Sequence, residues 1–231
     1  MKTRQIILML LLIAALQGQD ESPLTISVGN GKFSLSSKAS LVMVDKKNNV
    51  FYDFVRSGHK LDIAQVDSIY VKSSDQSKIV NRADSYVSPK ILFYYSSDFS
   101  DAKFEKSTHS GIVKHFTDGF QIPIRDEVKI VNEINAIAKR FGMRDISLVG
   151  AHKIGLDVKE SGIIGHTMGI ADIGEAELFS SMSSICVKII NDKVVFFVVV
   201  QEITKENTAL RSIEYARTIY EMLSASNSSD K

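Results

Sequence analysis

The stretch AELFSSMSSICVKIINDKVVFFVVVQEI, residues 176–203, decides how this chain folds. Its end, VVFFVVV at residues 194–200, is seven apolar residues without alternation. A strand of that composition is covered on both faces, because a half-exposed strand would show a polar residue at every second place. The spacing predicts two long strands, 178–190 and 194–203, joined at Asn191-Asp192, residue types that tolerate the turn of a tight hairpin. Layers must then lie on both sides of the hairpin.

Helices on either side of this segment in the chain can supply them. Residues 126–141 carry Ile130, Ile134, Ile137 and Phe141 on one stripe, with Lys129, Glu133, Lys139 and Arg140 off it, and Gly142 stands where a helix stops. Residues 208–225 place Leu210, Ile213, Ala216, Tyr220 and Leu223 on another stripe, with Asn207 as the expected N-cap. A shorter helix is expected over 107–119, with Ile112, Val113 and Phe116 on one side. Strands are expected at 91–95, at 120–124 (an edge or strand end, given Pro123) and at 146–151. The glycine-rich run from Gly155 through Gly162, Gly165 and Gly169 to Gly174 reads as a mobile loop. From Pro89 onward the order is β-α-β-α-β-β-β-α, which predicts an α+β fold: a mostly antiparallel sheet with two or three helices packed on it.

Before it stands a small β-rich N-terminal segment. Residues 41–44 and 50–54 are apolar runs separated by the polar loop at 45–49, the pattern of a hairpin. Leu61, Ile63, Val66, Ile69 and Val71 recur at mostly even spacing with one slip at Val66. Residues 73–85 read as a linker. The expected organisation is a signal peptide at 1–18, a β-rich segment at 19–87, an α/β domain at 88–225 and a disordered tail at 226–231.

The leader is read from its own residues. Lys2 and Arg4 precede an unbroken apolar run over 6–16, which at ~1.5 Å per residue spans about 16 Å as a helix, half of a bilayer core. That suits a secretory h-region, with cleavage near Gly18. No later stretch has the apolar length of a membrane-spanning helix. Removal of the leader turns the net charge from +1 to −1, which gives no electrostatic case for nucleic acid. Cys186 is the single cysteine, so the fold rests on its apolar core, and a disulfide-free exported chain fits a bacterial envelope.

Three segments carry a resemblance to a known family. FGMRDISLVGAHKIG at 141–155, AELFSSMSSICVKIINDKVVFFVVVQEI at 176–203 and RSIEYARTIYEML at 211–223 are similar to the amino-terminal domain of TolB and its curli-export (CsgG-like) relatives. The resemblance covers about residues 89–225 and follows element order more than residue identity. Curli-type exporters carry an acylated cysteine near the cleavage site, and none stands there in this chain. Neither candidate loop for an inserted hairpin shows the alternating strands of a membrane barrel. The resemblance therefore implies a periplasmic interaction module and no channel. HKLDIAQVDSIYV at 59–71 also resembles a segment of exported Bacteroidota proteins of no known activity.

Chemistry-bearing residues are scattered. LVGAHKIG at 148–155 superficially resembles the proximal-histidine segment of haem peroxidases, but those are mainly helical proteins and His152 here falls in a strand. His109, His115 and His166 are the metal candidates, with His152, Asp98 and Asp172 as further donors; His109 and His115, six apart, point away from each other on a helix. The serines form no Gly-x-Ser-x-Gly elbow, and Cys186 among aliphatic neighbours is no activated thiol. No catalytic residue and no cofactor are expected. The leading expectation is a non-enzymatic, exported envelope or periplasmic interaction protein whose partner is another envelope protein. The alternatives are a secreted metal-dependent hydrolase using those histidines, and a small-ligand carrier with its ligand under the stretch 162–174.

Overall fold

A computed structural model describes residues 23–47, 49–59, 64–79, 87–121, 127–141, 147–172 and 178–225. The fold is α+β, and every strand pairing in it is antiparallel. The strands in chain order are β1 (Leu24–Val28), β2 (Gly31–Leu35), β3 (Leu41–Met43), β4 (Gln65–Lys72), β5 (Lys90–Tyr95), β6 (Ser147–Lys159), β7 (Gly162–Asp172), β8 (Leu178–Ile190), β9 (Lys193–Glu202) and β10 (Leu223–Ala225). The helices are α1 (Val50–Gly58), α2 (Ser97–Ser100), α3 (Lys106–Gln121), α4 (Glu127–Arg140) and α5 (Ala209–Met222). Among the described residues these strands form two sheets, one of seven strands in the order β3-β4-β5-β9-β8-β7-β6 and one of three in the order β1-β2-β10.

Strand β9 lies at the middle of the large sheet, and its two faces enter different cores. Val195, Phe197 and Val199 pack with Ala216, Ile219 and Tyr220 of α5 and with Ile26, Phe33 and Leu35 of the small sheet. Val198 and Val200 pack with Phe51, Tyr52 and Val55 of α1, while Val194 packs with Val113 of α3. The molecule is thus a three-layer stack with the large sheet in the middle, as the unbroken apolar run requires. Phe197 is fully buried, stacked on Phe93 with ring centroids 5.3 Å apart. The β8–β9 turn is the one the sequence calls for: Asn191 and Asp192 have φ of 50° and 62°, as a two-residue hairpin turn of this twist demands.

Four expectations are corrected. Residues 50–54 are helical, since Asn49 accepts a hydrogen bond from the Tyr52 amide and caps α1, which then buries Phe51, Tyr52 and Val55 on one side. Of the glycine-rich run, Gly155 lies in β6, which pairs with β7, and Gly162, Gly165 and Gly169 lie in β7, which pairs on both sides with β6 and β8; Gly174 lies outside the described residues. Helix α3 continues through Phe120 and Gln121, so no strand begins at 120; residues 122–126 lie outside the described residues. The N-cap of α5 is Thr208, whose side chain accepts from the Arg211 amide, while Asn207 donates its amide to the Glu202 carbonyl. The slip at Val66 is a register shift between Val66 and Ser68 in β4.

The boundary drawn at 87/88 is crossed twice. Strand β4 pairs with β5 within the large sheet, and β10 pairs with β2 across the small one. The segment after the leader therefore completes the sheets of the rest of the chain. The leader and the tail at 226–231 lie outside the described residues.

Phe197→Ala is expected to lower unfolding stability by about 3–5 kcal/mol in urea titration. Leu178→Ala, at a side chain 65% exposed, should change it by less than about 0.5 kcal/mol. Equal losses for the two variants would contradict a core centred on β9.

Candidate functional site

The odd-numbered residues of β7 and β8 face α3. Cross-strand neighbours on this face are Ile163 with Val187, Gly165 with Ile185, Thr167 with Ser183, and Gly169 with Ser181. Side chains at successive pairs change from aliphatic to hydroxyl along the strands. Lys153 of β6 extends the third pair into a row of three, Lys153–Thr167–Ser183. Opposite this face, α3 presents His115, Phe116, Gly119 and Phe120, which share one side of the helix. Between helix and sheet lies a groove of about 650 Å³, within the range of small-molecule sites.

Two glycines shape the groove in opposite ways. A Cβ on Gly165 would run into the Phe120 ring, so glycine there lets the end of α3 lie directly on the sheet. A Cβ on Gly169 would meet only Ser181 Oγ at 3.7 Å, so this glycine leaves open space. Lys153 fixes the end of the helix: its ammonium donates to the Phe120 carbonyl and stands 4.9 Å from the centre of the Phe120 ring. On the opposite face of the sheet Lys188 does the same for α5, donating to the carbonyls of Tyr220 and Leu223 at 2.5 and 2.7 Å.

A polar string also lies on that opposite face. Ser184 Oγ is 2.8 Å from His166 Nδ1, His166 Nε2 is 3.5 Å from Asp157, and Asp157 accepts a forked pair of hydrogen bonds from Arg217 at 2.6 and 3.0 Å. Serine, histidine and aspartate in sequence invite a nucleophilic reading. However, Ser184 and His166 are 1% and 2% exposed and lie on the sheet face that α5 covers, so the hydroxyl cannot reach a substrate. The string instead ties α5 to the sheet edge. The Arg217 guanidinium holds the Asp157 carboxyl below its ordinary range, while burial pushes the His166 imidazole down despite the nearby carboxylate.

The metal candidates are not brought together. His115 borders the groove, His166 lies on the opposite face of the sheet, and His109 is 3.5 Å from Asp192 near the β8–β9 turn. His152 is exposed on β6. Among the described residues no three His, Cys, Asp or Glu side chains stand close enough to share a metal ion. Cys186 is fully buried, and burial pushes its thiol well above its ordinary pKa, so it has no thiolate character.

No protein-family model matches the chain, and no curated protein matches it. Among solved structures, a cyanobacterial PsbP (CyanoP) from Synechocystis is similar at 10% identity and a TM-score of 0.38, over 88% of this chain and 92% of that one. The Ran-binding protein Mog1p of Saccharomyces cerevisiae is similar at 11% identity and a TM-score of 0.31, over 87% and 90%. The similarity to TolB and curli-export proteins rests on the three sequence segments alone.

The sequence places a candidate ligand under 162–174 but reads the stretch as loop, because its glycines look like loop. The available signal was in β8, where Ser181, Ser183, Ile185 and Val187 stand at every second position and pass from hydroxyl to hydrocarbon.

Acid should weaken the fold before the carboxylates titrate. Burial, and then the charge of Lys90, hold the His59 imidazole down at about 4, and His166 is lowered too, whereas both bind a proton near 6.5 when unfolded. The unfolded chain therefore takes up protons first. Stability is present above pH 6.5 and is lost progressively as pH falls towards 4. Urea midpoints across that window should fall, and His59→Gln with His166→Gln should flatten the slope. A midpoint in the unsubstituted protein that does not move would contradict imidazoles held neutral in the fold.

Proposed function

We propose that this protein is an exported, non-enzymatic binding protein, and that it holds a small apolar molecule in the groove between α3 and the β6–β8 surface. The observation that carries the reading is the groove itself: about 650 Å³ with walls from Ile163, Ile185, Val187, Phe116, Phe120 and Phe196, and a few polar groups towards one end. An apolar cleft with sparse convergent polar groups is the usual form of a small-molecule site. Of the three readings open from sequence, this favours the carrier over the hydrolase, whose histidines stand apart.

Docking to another envelope protein is the second reading, and one feature favours it. Strand β6 is an edge of the large sheet and exposes Ile154 and Val158, at 44% and 59%. An edge with apolar side chains can accept a strand from a partner. Among the described residues no helix is long and apolar enough to cross a membrane. Export rests on the charged and apolar leader at 1–18.

Gly169→Leu tests the carrier. The position has room for a side chain that projects into the groove, so the variant should fold with an unchanged or higher Tm. The neutral dye N-phenyl-1-naphthylamine should bind the unsubstituted protein at one site with a rise in fluorescence, and the variant at least ~10-fold more weakly. Equal dye binding by the two would sink the assignment to this groove.

For export, mass spectrometry of native material should find a new N-terminus near Gln19. An intact Met1 on protein recovered from the cytosol would count against it.

A further inference from the structure

The two ends of the groove differ in chemistry. Along the paired strands β7 and β8 its floor runs from the Ile163–Val187 pair, through Gly165–Ile185, to Thr167–Ser183 and Gly169–Ser181. At ~3.4 Å per residue the floor is about 20 Å long, which accommodates an extended dodecyl chain. Ile163, Val187 and Phe196 surround one end with hydrocarbon, and Thr167, Ser181 and Ser183 bring three hydroxyls to the other. Between the ends Phe120 takes part of the width. Its ring lies directly on Gly165, so at this level the way along the floor runs over Ile185, the cross-strand neighbour. A single chain follows that path, whereas a fused ring system needs the width that Phe120 occupies.

The hydroxyls set what a ligand has to offer. Thr167 Oγ1 lies 3.2 Å from the Ser183 carbonyl oxygen. A carbonyl only accepts, so Thr167 gives its hydrogen there, and what it has left for the groove is lone pairs. A serine hydroxyl turns its hydrogen to suit, so Ser183 can donate into the groove. Directly opposed residues have Cβ atoms about 5 Å apart, so one ligand oxygen can bridge Thr167 and Ser183. A ligand that displaces water from this end must return a donor to Thr167 and an acceptor to Ser183, since a polar group left dry without a partner costs binding. A hydrocarbon returns neither. A carboxylate, ester or ether only accepts, and an ammonium only donates. A hydroxyl does both.

We propose that the ligand is a long-chain alcohol, its hydroxyl donating to Thr167 Oγ1 and accepting from Ser183 Oγ, with its chain passing over Ile185 towards Val187 and Phe196. This rests on the groove being a ligand site, and it adds the class and the orientation of the ligand.

The test displaces N-phenyl-1-naphthylamine from the full protein with dodecanol, dodecyl methyl ether, dodecanoic acid and dodecane. The ether keeps the oxygen and the chain and lacks only the donated hydrogen. Dodecanol should compete at least ~5-fold better than the ether or the acid, and dodecane worst. Thr167→Val, which keeps the shape of the side chain, should bring alcohol and ether together without weakening the ether. Ser183→Ala leaves the carbonyl that Thr167 uses and should weaken alcohol and ether alike, several-fold, with dodecane unchanged. Thermal melting checks that each variant is folded. Competition by the ether or the acid equal to or better than the alcohol in the unsubstituted protein overturns the alcohol while leaving the carrier reading in place. An advantage of alcohol over ether that survives Thr167→Val overturns the seat of the hydroxyl. If the dye does not bind at all, the groove is no ligand site and both readings fall.

Discussion

The structure depends on one strand having no face for water. Seven apolar residues at 194–200 put Val195, Phe197 and Val199 on one side and Val194, Phe196, Val198 and Val200 on the other, and each side must be buried. An edge position would expose part of such a strand, so it lies at the middle of the sheet between β5 and β8. Its upper side fixes where α5 and the small sheet sit, and its lower side fixes α1 and α3. At roughly 1.5–3 kcal/mol for each large apolar side chain fully buried, this strand outweighs any single hydrogen bond or ion pair in the molecule.

Polar groups then set how the covering layers are held. Lys153 and Lys188, on opposite faces of the sheet, each reach the carbonyl end of a helix and lie against an aromatic ring of its last turn, Phe120 and Tyr220. Both helices thus end over a lysine that satisfies carbonyls left open by the helical pattern and opposes the dipole. The Arg217–Asp157 fork adds a lateral tie for α5. Alongside α3 the fit is incomplete: Phe120 is drawn against Gly165, but the hydroxyl row and Gly169 leave the space beside it unfilled. Imperfect packing at one end of a helix is therefore what leaves the groove open.

Much of this was legible in the residues. The β8–β9 hairpin, its Asn191-Asp192 turn and α4 all followed from period, turn chemistry and composition. The failures share a cause. Phe51 and Tyr52 look like strand until Asn49 is recognised as a cap in place of a hairpin loop, and a short apolar run does not itself distinguish the two. Gly162, Gly165 and Gly169 suggest flexibility, whereas here close approach by Phe120 and Tyr220 and an open cavity account for them. Such roles are long-range, since Phe120 is far from Gly165 in the chain, and no local window contains both. For the same reason the pairing of β4 with β5 and of β10 with β2 was hidden by the intervening residues.

The order of the strands also governs when the molecule can close. The two neighbours of β9 are complete before it, but they cannot join until residue 202 has emerged, and β2 waits for residues 223–225 to cover its free edge. A growing polypeptide of this kind stays open, with its central strand arriving late, through most of its synthesis. Contacts between residues so far apart in sequence form slowly.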